Sequence, residues 1–140
     1  MVTPLADFSA QLTAIAATLP AAHGPWAAEI IDGIEIDEAR ARFMAAVYDA
    51  VAQSAAGEAG AEAALTRAGA AMLAGQVIVN RRHRALHDDD KRLREDNGNV
   101  TFYGYGYLRY AQDLCYWKRE WLMAANAVRR QSTALPSCFL

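Results

Sequence analysis

The chain has 140 residues, enough for one domain with its own core and too few to split comfortably into two. Hydrophobic residues make up 54% and charged residues 21%, which excludes a disordered chain, and a formal net charge of −2 argues against a general nucleic-acid coat. Alanine supplies roughly a fifth of the residues and β-branched runs are scarce, so the composition predicts an all-α fold.

The first predicted helix starts at Thr3-Pro4, a hydroxyl N-cap followed by proline at the first helical position. Leu5, Phe8, Leu12, Ile15 and Leu19 recur at spacings of three and four, one apolar seam that ends before Pro20 and His23-Gly24-Pro25. Residues 20–37 read as a short helix and a connector: Trp26, Ile30, Ile31 and Ile34 suit a helix, Asp32-Gly33 suits a turn, and Ile34 to Asp37 alternates. Asp37 is then the predicted cap of a second helix with Phe43, Met44, Val47, Tyr48 and Val51 on its apolar face, broken near Gly57.

A long helix is predicted from about Ala59 to about Asp88, its first half built almost wholly of small residues that let another helix approach closely. Asn97-Gly98 is the strongest turn signal in the chain. The last predicted helix, residues 101–131, carries Tyr103, Tyr107, Tyr110, Leu114, Trp117, Trp121, Ala124 and Val128 as a seam with alternating spacings of four and three. A second stripe of Leu108, Ala111, Cys115, Leu122 and Ala125 flanks it, and Arg109, Asp113, Tyr116 and Glu120 form its polar face. These elements predict a bundle of four to five helices built around a long antiparallel hairpin, residues 59–88 against 101–131, with a single domain over 1–131 and a tail over 132–140.

Phosphate loops, a nucleophile elbow, paired Cys-x-x-Cys motifs and di-iron Glu-x-x-His motifs are all missing from the sequence. His83 and His87 stand one helical turn apart, a spacing at which two imidazoles can share one metal ion. Folding back at Asn97-Gly98 brings them toward Tyr103, Gly104, Gly106, Tyr107, Arg109, Tyr110 and Asp113, with Asp113 as the candidate third metal ligand. That set defines a candidate pocket for a divalent metal, haem or an aromatic ligand, its glycines allowing close approach to the backbone. The plainer reading makes these histidines half-exposed residues near a helix C-terminus and the tyrosines core.

Lys and Arg concentrate after residue 80, but Asp88, Asp89, Asp90, Glu95 and Asp96 interleave with them, so nucleic acid is a disfavoured partner. The N-terminus lacks a basic export region and no stretch reads as a membrane span, so the expected setting is cytoplasmic, with Cys115 and Cys138 as free thiols. The leading functional expectation is a non-catalytic helical interaction module that self-associates or docks on a larger protein; the pocket protein or small enzyme is the alternative.

Overall fold

The computed structural model describes residues 2–89 and 114–138 of the chain, and the side chains of all of these except 2–6, 9, 22, 25 and 82–89. The described residues form four α-helices and no strand: α1 (Val2–Ala16), α2 (Gly24–Ala56), α3 (Ala61–Asp89) and α4 (Cys115–Arg129), with a 3-10 turn at Ala21–His23 before α2. The all-α bundle expected from composition is the fold observed; the predicted α3 boundaries agree within about two residues, the usual scatter of helix ends, while α1 stops at Ala16, three residues short of the expected Leu19.

Residues 20–37 depart from expectation. Instead of a short helix and a connector, α2 runs unbroken for 33 residues, about 50 Å, through Asp32, Gly33 and Asp37. Asp37 is therefore an interior residue, and Pro25 marks the helix start. The reason is the buried series Asp32, Ile36, Ala39, Phe43, Ala46 and Ala50, whose spacings of three and four make one continuous stripe. Asp32 can sit in that stripe because Arg81 of α3 pairs with it, and Arg81 also meets Glu35 at 2.6 Å. Burial works against the charge on Arg81, yet its hydrogen bonds to Glu35 and Asp32 outweigh burial and hold its pKa above the ordinary value.

The reversal after α2 follows from Gly57. It adopts φ +73°, and the amides of Gly57 and Glu58 donate to the carbonyls of Ser54 (3.1 Å) and Gln53 (2.8 Å), closing the helix C-terminus in the two-bond arrangement that favours glycine. α3 then runs antiparallel to α2, clamped by Arg67–Asp49 near the reversal and by Arg81 on Asp32 and Glu35 at the far end.

α4 lies against both, antiparallel to α3 and parallel to α2. Arg40 of α2 grips Glu120 with both guanidinium nitrogens, Nη2–Oε1 at 2.8 Å, and lies over the rings of Phe43 and Trp117. Arg129 reaches Glu62 of α3 through Nε–Oε1 at 2.8 Å and Nη2–Oε2 at 2.9 Å. The core between the three helices has two parts. Phe43, Ile36, Val79, Leu114 and Trp117 dominate one, with Phe43 and Trp117 ring centroids 5.3 Å apart. Leu65 with Ala50, Ala64, Ala124 and Ala125 makes the other, and Val47 and Trp121 pack against both. Gly75 is needed here: a Cβ built on it would lie 3.0 Å from the Trp117 ring.

The described part of the last seam (Leu114, Trp117, Trp121, Ala124, Val128) faces the core as expected. Residues 101–113 of the predicted helix lie outside the described residues. Leu114 takes the left-handed conformation at φ 49° as the N-cap, so α4 begins at Cys115. A left-handed leucine costs about 1 kcal/mol or more, and its almost complete burial beside Gly75 and Trp117 holds it there. After α4, residues 131–138 fold back along the helix. Asn126 and Thr133 exchange hydrogen bonds at 2.9 and 3.1 Å, and Arg119 donates to the Pro136 carbonyl at 3.0 Å.

Two apolar seams expected to be core are so only in part, Phe43, Met44 and Val47 of α2 meeting the core while other members do not. Tyr48 and Val51 of α2 are exposed, because alanines at positions 39, 46 and 50 supply the contact with α3 and α4. On α1, Phe8 and Ile15 are 49% and 56% exposed. That helix packs on α2 without a comparable contact to α3.

Candidate functional site: an alanine-lined groove

Tyr103, Gly104, Gly106, Tyr107, Arg109, Tyr110 and Asp113 lie outside the described residues. His83 and His87 fall on the α3 backbone one turn apart, with their side chains outside the described set. Among the described residues no group of three or more His, Cys, Asp or Glu side chains is arranged to hold a metal ion.

The described residues instead form a groove on the side of the α2/α3 pair away from α4. Its volume is about 1160 Å³. Ala39, Ala45 and Ala46 of α2 and Ala70, Ala71, Ala74 and Ile78 of α3 make its apolar surface, and Ala10 and Thr13 of α1 line the remaining side. The groove exists because α1, among the described residues, packs mainly on α2, so the fourth position of a bundle is left partly open. Small side chains keep it wide. A leucine or phenylalanine at Ala70 or Ala74 would fill it with the chain's own atoms.

The rim is charged and internally balanced. Arg42 pairs with Glu38 one turn away, and Arg67 pairs with Asp49, which also accepts from Gln53 at 2.7 Å. Glu35 sits at the end nearest Arg81. These groups lie beside apolar surface and pair with one another, an arrangement that orients and selects a partner more than it attracts a bare ion. Leu73 and Val77, one turn apart on α3, are each 65% exposed and extend the apolar character outward from Ala70 and Ala74.

The alanine-rich face of α3 was legible in the sequence as a surface for close helix approach. Its α2 half was not. Ala39, Ala45 and Ala46 are interleaved with Glu38, Arg42 and Asp49, so no apolar period announces them. The signal that could have found them is the pairing of small residues with opposite charges one turn apart, Glu38 with Arg42.

The expectation of free thiols is also corrected. Cys115, the first residue of α4, and Cys138, on the returning segment, form a disulfide with Cα atoms 5.7 Å apart. The fold-back of residues 131–138 brings together two residues that are 23 apart in sequence and that helical periodicity alone would never pair. None of the described helices is long and apolar enough to cross a membrane.

A helical bundle with an open, small-residue groove is the class that fold and site define. No family model matches the chain, and neither a curated protein nor a solved structure matches it.

Proposed function

We propose that the chain is a non-catalytic helical interaction module, an accessory subunit or adaptor that self-associates or docks on a larger protein. The observation that carries this reading is the open groove bounded by α1, α2 and α3, together with large apolar side chains left exposed beside it on α1 and α3. A monomer gains nothing by exposing Phe8, Ile15, Leu73 and Val77. Covering the exposed part of each is worth about 1–2 kcal/mol, and a partner helix supplies that cover.

The expected cytoplasmic setting sits uneasily with the Cys115–Cys138 bond. Disulfides persist in oxidising compartments, and an oxidising setting is the reading that bond supports. Alkylating the protein directly in its source tests this. Two protected cysteines that label only after reduction support an oxidising compartment, and immediate labelling of both returns the protein to a reducing one.

For the interaction reading, the experiment is affinity capture of the tagged full-length chain from its source, with mass spectrometry and light scattering on the eluate. A partner in fixed stoichiometry, or a second copy, is expected. A strict monomer that captures nothing stoichiometric at high concentration ends the proposal. Elemental analysis and a visible spectrum of the same eluate address the metal or haem pocket expected around His83, His87 and Asp113, and a clean blank in both removes those ligands.

A further inference from the structure

The groove and the exposed seam of α1 belong to one molecule, yet they cannot meet within it. α1 lines its own groove with Ala10 and Thr13. Phe8 and Ile15 are nearly superimposed on the helix wheel, and Ala10 lies about 200° round from Phe8 at 100° per residue, on the opposite flank. With α1 held against α2, Phe8 and Ile15 point away from the alanines that could receive them. A groove becomes available to this seam only on another molecule.

We infer that the occupant of the groove is α1 of a second copy of this chain, so that two copies exchange their α1 seams in a symmetric pair. This rests on the reading of the chain as an interaction module and names its partner. Size complementarity supports it, because large Phe8 and Ile15 side chains meet a slot walled by Ala70 and Ala74.

Area decides between one helix and two. α1 has 15 residues and is about 22 Å long. One such helix in one groove buries roughly 800–1,000 Å² in total, the range of weak contacts, whereas the reciprocal pair doubles this to roughly 1,600–2,000 Å², the size of a stable interface. A symmetric dimer forms both halves at once, since each copy brings a seam and a groove.

The test is sedimentation equilibrium of the full chain from micromolar to submillimolar concentration, with two single variants checked by circular dichroism. The wild type is expected to show a concentration-dependent mass approaching twice 15.2 kDa. Phe8→Ser removes two buried aromatic contacts per dimer and raises the dissociation constant by at least about a hundredfold. Ala74→Trp, which blocks the groove and leaves α1 intact, abolishes the dimer. Both positions are exposed in the monomer, so helicity should be unchanged. In a third arm, a Phe8→Cys chain mixed with an Ala74→Cys chain is expected to oxidise to a covalent heterodimer that neither forms alone. A wild type that stays monomeric overturns the inference, as does a dimer untouched by both single variants. Either result leaves the interaction reading standing if a stoichiometric partner is captured from the source.

Discussion

Gly75 and Arg130 make opposite demands on their side chains. At Gly75 the α3 backbone lies under Trp117, which is itself buried against Phe43 and beneath Arg40 and so has no room to retreat. Gly75→Ala should gain about 1 kcal/mol of helix propensity and lose more to overpacking, for a net destabilisation of about 1 kcal/mol in urea denaturation. At Arg130 the helix α4 ends on a left-handed residue, φ 51°, whose amide donates to the Asn126 carbonyl, and the side chain is exposed. Arg130→Gly removes the cost of that conformation and should raise stability by up to about 1 kcal/mol in the same assay. Glu62 offers a pH signature. Its hydrogen bonds from Arg129 hold its carboxyl below the usual glutamate value. A depressed carboxylate contributes stability that is present above the ordinary glutamate range and is lost as pH falls through the lower, folded value. Glu62→Gln should therefore flatten the acid limb of the stability curve and leave the neutral limb's slope unchanged, as read by thermal melts across pH.

At the level of elements, register is set by ion pairs and thickness by alanine. The α2/α3 pair is pinned at both ends, and the Arg81 clamp is the one with a buried partner. Arg81→Met strands Asp32 among apolar neighbours. The cost should be about 2 kcal/mol, below the usual figure for a buried pair because Arg81 is half exposed, and adding Asp32→Asn should recover most of it in guanidinium titrations. Helix identity was legible in the sequence wherever large side chains carried the period, as in Trp117 and Trp121 of α4. It was misread where the period is carried by other residue types. Asp32-Gly33 looks like a turn, and only the long-range partner Arg81, 49 residues away, makes the aspartate a buried member of α2. Tyr48 and Val51 looked like core because they are large, while Ala46 and Ala50, which do the packing, carry too weak a hydrophobic signal to outvote them. The groove was half legible for the same reason: the α3 alanines form a run, and the α2 alanines hide among charges.

Taken as a whole, the described residues make a three-helix core with a fourth helix packed mainly on one of the three. α2, α3 and α4 are joined pairwise by Arg–carboxylate contacts and share both parts of the core, while α1 packs, among the described residues, mainly on α2. Amide hydrogen exchange should show this division. Protection is expected to be highest around Ala46, Ala50, Leu65 and Ala125, and α1 should exchange much faster at low protein concentration, where no second molecule covers it. Breaking the Cys115–Cys138 bond by double substitution with serine should cost about 3 kcal/mol on chain-entropy grounds for a loop of this length, read as a lower midpoint in urea. The same bond has a topological consequence. It closes a covalent ring that contains the whole of α4 and the segment folded against it. A protease that cuts the exposed stretch around Ser132 and Thr133 would therefore release no fragment. The two pieces would travel as one species on a non-reducing gel and separate only when a thiol opens the ring, so that a nicked molecule keeps the returning segment up to Cys138 tethered to α4.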